Sequence, residues 1–257
     1  MNDFNESDVS LTILKSYFGK LEKLIECDVI IAGSGPSGLV AAWCLAKEGF
    51  KILVLEKRLS PGGGIWGGSI GMNQIAVQKD ALPILEEAGT SYEKSGKLFS
   101  VDAIELASAL CLKAIQSGAS ILNLMSAEDL CVKNGRVTGV VANRTLLGDN
   151  LPIDPLTFTA KAVIDATGHE TVLINCLKKR GLVRRKNGDA FIEGPMDAFS
   201  GEKFVVENVS EIFPGLWTSG MSVCTSMGGP RMGAIFGGML LSGVKVAELI
   251  TAQHGKS

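Results

Sequence analysis

Apolar residues along this 257-residue chain recur at two spacings, one helical and one strand-like, and the two alternate. Residues 7–24 place Leu11, Leu14, Tyr17, Phe18, Leu21 and Leu24 three or four apart, which predicts an amphipathic helix. A short apolar strand over 27–32 runs into Gly33-Ser34-Gly35-Pro36-Ser37-Gly38. A helix over about 37–48 follows, ended by Gly49, and then a second strand over 51–55 that finishes at Glu56. Helices are predicted over about 78–88 and over 101–117, where Gly118 stops the second, and a strand over 120–125. Runs at 130–133 and 136–142 flank Asn134-Gly135, a strong hairpin signal. The apolar run 159–165 predicts one strand, 171–181 a helix, 216–220 a short strand and 232–253 a long C-terminal helix. Residues 184–208 predict an irregular excursion. The uncharged stretch 212–230 is broken by Pro214, Gly215, Gly220, Gly228 and Gly229 and predicts loop and turn.

Strands separated by helices imply an α/β, Rossmann-like dinucleotide-binding fold, a central parallel sheet with a β-hairpin insertion. Neither a repeat nor a low-complexity linker divides the chain, so residues 1–257 read as one domain. Composition sharpens this. Hydrophobic residues make up 46% but aromatics only 6%, so the core must be largely aliphatic, as parallel sheets are. A net charge of −2 gives no basic excess for nucleic acid or an anionic membrane. No apolar run is long enough to span a bilayer, and the acidic N-terminus lacks a signal-peptide core, so the expected location is cytoplasmic. Six cysteines show no C-x-x-C spacing, and Cys27, Cys44, Cys111 and Cys131 sit in apolar segments as small hydrophobes. The 31 glycines cluster at 62–64, 67–68, 228–229 and 237–238, which suits an extended ligand clamped by main chain.

The G-x-G-x-x-G at Gly33, Gly35 and Gly38 is weak alone. Its setting strengthens it: strand before, helix after, a second strand, and Glu56 closing that strand 18 residues beyond Gly38. That is the dinucleotide fingerprint. The helix N-terminus receives the pyrophosphate and the acid takes the adenosine ribose hydroxyls. A plain tight turn is the rival reading. Ala127, within Ser126-Ala127-Glu128, is a candidate main-chain contact for adenine, with simple packing as the alternative.

Three later segments narrow the chain beyond the two-dinucleotide-binding-domain flavoprotein superfamily. Pro61-Gly62-Gly63-Gly64-Ile65-Trp66-Gly67-Gly68 resembles the glycine-rich loop of thiamine thiazole synthases. Ile153-Asp154-Pro155 and Thr167-Gly168-His169 resemble their metal-site segments. Gly229-Pro230-Arg231-Met232-Gly233, running into Phe236-Gly237-Gly238-Met239-Leu240-Leu241-Ser242-Gly243, resembles their C-terminal signature. The resemblance covers roughly residues 10–250 and is nearest to the archaeal and anaerobic-bacterial branch.

It implies that NAD is a substrate. NAD is cleaved to nicotinamide and an ADP-ribose unit, which isomerises to a ketone and condenses with glycine. Sulfur addition, cyclisation and dehydration then give an adenylated thiazole carboxylate. The same resemblance assigns Asp154 and His169 to Fe(II), and Arg231 to glycine's carboxylate. It assigns Ser37, Lys57, Gly64, Pro152, Ile153 and Met221, with the fingerprint residues, to the NAD surface. It further implies a homo-octamer in which the metal aspartate crosses a subunit boundary. The residues agree in part. Asp154 and His169 leave most of a coordination sphere open, as Fe(II) with substrate ligands requires. Arg231 is the sole cation between Lys203 and Lys245. A turn aspartate before proline, a satisfied loop histidine and a surface ion pair are the respective rival readings.

The sequence departs from the family at two places. Where eukaryotic members carry a sulfur-donating cysteine, two residues before the metal aspartate, this chain has Pro152, which favours free sulfide and multiple turnovers. Glu170 replaces the aspartate usual after Thr-Gly-His. Cys224, seven residues before Arg231, is the other cysteine of interest, with a small packed residue as its plainer reading. A flavin oxidoreductase of the same fold and a non-enzymatic NAD-binding protein compete as functions. Met221, standing where flavoproteins carry a flavin-binding aspartate, argues against the first. Asp154, His169 and Arg231 together argue against the second.

Overall fold

The computed structural model describes residues 3–147, 153–184 and 192–255. Helix α1 (Glu6–Leu24) starts in a capping box: the Asn5 side chain accepts from the Ser7 and Asp8 amides, and Asp8 accepts from the Asn5 amide. Its apolar stripe is only partly covered. Leu24 is buried and Tyr17 and Leu21 pack on the core, but Leu11, Leu14 and Phe18 are exposed. Strand β1 (Val29–Ala32), helix α2 (Pro36–Lys47) and strand β2 (Ile52–Glu56) form the predicted βαβ unit, with every strand residue buried.

Next come β3 (Gln74–Val77), α3 (Leu82–Ala88), β4 (Glu93–Ser95), β5 (Leu98–Asp102) and α4 (Ala103–Gln116). The helix expected over 101–117 therefore begins two residues later. Asp102 is its N-cap, accepting from the Ile104 and Glu105 amides, and the residues before it form a strand. Strands β3, β5 and β4 make an antiparallel sheet that the sequence pattern did not reveal, because β4 is exposed throughout.

Strand β6 (Ser120–Asn123) ends before Leu124, whose φ of 55° turns the chain into β7 (Met125–Lys133). β7 pairs with β8 (Arg136–Arg144) across Asn134-Gly135, both at positive φ, as the tight hairpin demands. The strand expected over 159–165 starts three residues later, and Thr159 instead ends a strand the sequence did not announce. β9 (Leu156–Thr159) extends the hairpin sheet and β10 (Ala162–Asp165) enters the central one. Helix α5 (Val172–Lys179) follows.

The described part of 184–208 is not irregular: it holds β11 (Gly194–Met196) and α6 (Ala198–Glu207), the helix capped by Asp197. After β12 (Glu211–Phe213) and β13 (Leu216–Thr218) comes α7 (Met221–Met227), inside the stretch expected to be loop and turn. Its Ser, Thr and Cys side chains carry no helical stripe because every residue from Met221 to Ser226 is buried. β14 (Pro230–Arg231) precedes α8 (Gly237–His254). The last helix starts five residues later than expected, since Gly233 at φ 77° breaks any earlier turn.

The central sheet has the order β12-β13-β10-β1-β2-β6, parallel except for edge strand β12. From β1 the chain moves outward to β2 and β6, then returns to β10 on β1's other side. The crevice between the carboxyl ends of β1 and β10 is thus the topological switch point, where open α/β sheets bind ligands. Two apolar layers flank the sheet, one under α2, α4 and α8, the other under α5 and the hairpin sheet. Helices α2 and α8 touch closely: a Cβ on Gly243 would lie 2.5 Å from the Ser37 carbonyl oxygen. No described helix is long and apolar enough to cross a membrane.

Candidate functional site

A crevice of about 560 Å³ opens at the switch point, within the usual range for small-molecule sites. Its nucleotide end is built by the fingerprint turn. Gly33 has φ 98°, and a Cβ there would meet the Ala166 carbonyl oxygen at 2.5 Å, so β1 and β10 approach as only glycine allows. A Cβ on Gly38 would lie 2.1 Å from the Gly33 carbonyl oxygen, which fixes glycine where α2 packs beneath the turn. No side chain caps α2 and no acid occupies its first turn. Its free amides at the crevice are therefore suited to a phosphate group. The glycine-rich loop closes over them: the Gly62 amide donates to the Ser34 carbonyl at 2.8 Å, and a Cβ on Gly63 would sit 3.0 Å from the Gly35 Cα.

Glu56 lines the same end but is already at work. Its carboxylate accepts from the Ser34 amide at 3.0 Å, the Ser34 hydroxyl and the Arg58 amide at 2.8 Å. It braces the turn, and a carboxylate with three such bonds still has acceptor capacity to spare. Lys57 lines the crevice while bridging to Glu170 at 2.6 Å. Both groups are about half exposed, so the pair adds little stability. Met125, Ser126 and Ala127 also line the crevice, where the β7–β8 ladder slips between Ala127 and Asp129.

The other end displays His169. Asp165, wholly buried at the end of β10, accepts from the Thr167 amide and hydroxyl and from the Leu173 and Ile174 amides at the start of α5. Burial pushes its carboxyl upward, against these bonds. The bonds pin both flanks of the Gly168–Glu170 turn that carries His169. His169 Nδ1 is bonded to Glu193, and Glu193 also accepts from the Thr225 hydroxyl at 2.6 Å and faces Arg231 Nε at 3.5 Å. Arg231, Met232, Gly233, Phe236, Met239 and Met221 also line the crevice.

One chain therefore brings Gly33, Gly35, Ser37, Glu56, Lys57, Gly64, Ala127, His169, Met221 and Arg231 to a single crevice. Gly38 lies beneath it as a packing residue. Asp154 and Ile153 do not line it; both are exposed ahead of β9. Pro152 lies outside the described residues. Arg231 sits on β14 and not, as expected, at the mouth of α8. Asp165, Glu193 and Thr225 went unmarked by sequence reasoning, because a lone acid or threonine carries no spacing signal. His254, expected in a frayed tail, is in α8 and half-buried, and burial lowers its ring below the usual range.

An imidazole whose Nδ1 is held by a carboxylate is arranged as metal-binding histidines are, with Nε2 left as ligand nitrogen. Among the described residues no group of three or more His, Cys, Asp or Glu gathers. The crevice thus fits a metal that takes further ligands from substrate or from another chain. Among the described residues no cysteine lines it. Cys224 is fully buried, and burial pushes its thiol up to about 12; Cys27 and Cys44 are pushed to about 11 for the same reason. Such thiols are inert at neutral pH.

The sequence profile of the Thi4 family matches residues 10–236. The chain is 48% identical over 253 residues to a thiamine thiazole synthase of Thermococcus kodakarensis, covering 98% of this chain and 99% of that one. It is 49% identical over 246 residues to one of Thermotoga maritima, covering 95% and 96%. The crystal structure of Thermovibrio ammonificans THI4 superposes with a TM-score of 0.94 at 40% identity, covering 99% of this chain and 100% of that one.

Proposed function

The chain belongs to the Thi4 family of thiamine thiazole synthases, and from that premise we propose that it converts NAD, glycine and sulfide into an adenylated thiazole carboxylate, using Fe(II). The observation that carries the reading is one crevice with a dinucleotide turn at one end and His169 and Arg231 at the other.

Each residue has a task in this scheme. The α2 amides and the glycine turn take the pyrophosphate. Glu56 takes ribose hydroxyls, and the Ala127 edge takes adenine. Lys57, Gly64 and Met221 line the path between, and Ile153 and Pro152 belong to the NAD surface by family resemblance. Arg231 is 57% exposed, and its one close ion pair among the described residues runs through Nε, so its terminal fork is free for glycine's carboxylate. His169 and Asp154 hold the iron. Asp154, exposed and away from the crevice, serves a neighbouring chain in a homo-octamer. The uncovered Leu11, Ile13, Leu14 and Phe18 of α1 support assembly. Ferrous iron, when bound, supplies a Lewis acid with coordination positions open to substrate nitrogen and oxygen. Sulfur comes from sulfide: Pro152 has no thiol, and no described cysteine lines the crevice.

The test is a mass spectrum of the small molecules released when the purified protein is denatured. Adenylated thiazole, or adenylated intermediates on the way to it, is the expected result. Stoichiometric flavin would overturn the reading.

A further inference from the structure

We propose that Glu193 is a positioning residue that fixes His169 in the Nδ1–H tautomer, keeps Nε2 as the metal-ligating nitrogen, and ties that imidazole to Arg231 through one carboxylate. The inference rests on the functional reading above for what His169 and Arg231 do, but its geometry stands independently.

Three observations carry it. First, Glu193 is set behind the two heads it joins. Its side chain is 11% exposed, against 60% for His169 and 57% for Arg231. A carboxylate withdrawn that far from water needs partners to offset desolvation. Among the described residues it has three: His169 Nδ1, the Thr225 hydroxyl at 2.6 Å and Arg231 Nε at 3.5 Å.

Second, its place is fixed by main chain. The Gly194 amide donates to the Gly229 carbonyl at 2.8 Å, and the Asp197 amide to the Arg231 carbonyl at 3.0 Å. β11 pairs in parallel with β14, Gly194 opposite Pro230 and Met196 opposite Arg231. Glu193 is therefore presented beside Arg231 by the backbone and not by chance rotation of a surface side chain. Thr225 comes from α7, so the carboxylate links the His169 turn, α7 and β14 at one point.

Third, a carboxylate can only accept, so the bond at Nδ1 requires the proton on that nitrogen. A neutral imidazole then has its lone pair on Nε2. Ring nitrogen choice set by the opposite hydrogen bond is how outer carboxylates tune metal-binding histidines, with losses of about 10–100-fold when they are removed. The contact to Arg231 through Nε leaves its fork uncommitted while holding the stem.

The experiment begins on wild-type protein without metal or substrate. The chain has two histidines, so the ¹⁵N long-range correlation spectrum has two ring systems, and a His254→Gln variant assigns them. At a pH where the rings are neutral, His169 is expected as the Nδ1–H tautomer. The Nε2–H tautomer in wild type would overturn the proposal, and this holds even if no Glu193 variant folds. In Glu193→Ala the ring is expected to shift toward Nε2–H, with Fe(II) affinity by anaerobic titration falling about 10–100-fold. NAD affinity should stay within about twofold. In Glu193→Gln the amide oxygen still accepts from Nδ1–H, so the tautomer should be retained. An Ala variant with unchanged tautomer and metal affinity would overturn the proposal. A failed functional reading looks different: the wild-type protein would make no thiazole, yet the tautomer result would stand.

Discussion

Three carboxylates organise the crevice without offering themselves as obvious catalysts. Glu56 braces the glycine turn after β1, Asp165 pins the His169 turn, and Glu193 joins His169 to Arg231. Asp154 is the exception, a carboxylate assigned to the metal but lying outside its own chain's crevice. If it serves a neighbour, Asp154→Ala and His169→Ala should each abolish thiazole formation while leaving NAD binding intact. Assemblies formed from both variants together should then recover about a quarter of wild-type activity, the share expected if sites pair two chains at random. Mixed assemblies as inactive as either parent would place both ligands on one chain. Glu56, His169 and Arg231 were legible in the sequence because each stands at a fixed place in a long motif. Glu193 was not. Its role arises from the pairing of β11 with β14, and nothing local to Ile192-Glu193-Gly194 announces that contact.

Among the elements, α8 shows how burial and capping meet. No residue of its own caps it; instead Glu202, on α6, accepts the Gly238 amide at 2.6 Å. Glu202 is 7% exposed, and burial pushes its carboxyl from 4.5 up to about 7, against the Gly238 and Gln78 contacts. The linkage has a definite sign. Below about pH 4.5 the group is protonated folded and unfolded, so it costs nothing. Between about 4.5 and 7 the unfolded chain ionises first, and the folded state loses stability, by about 3 kcal/mol once pH exceeds 7. Glu202→Gln removes the ionisation and keeps an acceptor for Gly238. Urea unfolding of ligand-free protein should show the variant gaining stability over wild type from pH 5 to pH 8, with little difference at the acid end. An equal offset at both pH values would contradict the burial argument. At this scale the βαβ unit, the hairpin and α5 were legible, since one buried face or a turn dipeptide marks each. Strand β9 was hidden because three of its four residues are exposed, so no apolar run separates it from the chain before β10. Helix α7 was hidden because a helix buried on all sides has no polar stripe.

For the whole molecule, the order of the central sheet explains why the fingerprint turn, His169 and Arg231 line one crevice. The switch point puts the β1 turn and the β10 turn side by side, and the glycines at 33, 38, 62 and 63 let main chain close on what lies between them. The central parallel sheet was legible from the alternation of strands and helices; the strand order was not, because β10 is reached through the antiparallel β7–β8–β9 sheet and not through a helix. The antiparallel sheets around it were less legible, because their short edge strands are largely exposed. In the function proposed above, sulfur is supplied from outside, as sulfide. Purified protein given NAD, glycine, Fe(II) and sulfide without oxygen should make several equivalents of adenylated thiazole per chain. The intact mass of the protein should be unchanged afterwards. A yield capped at one equivalent, with a mass loss mapping to a cysteine that has become dehydroalanine, would contradict it.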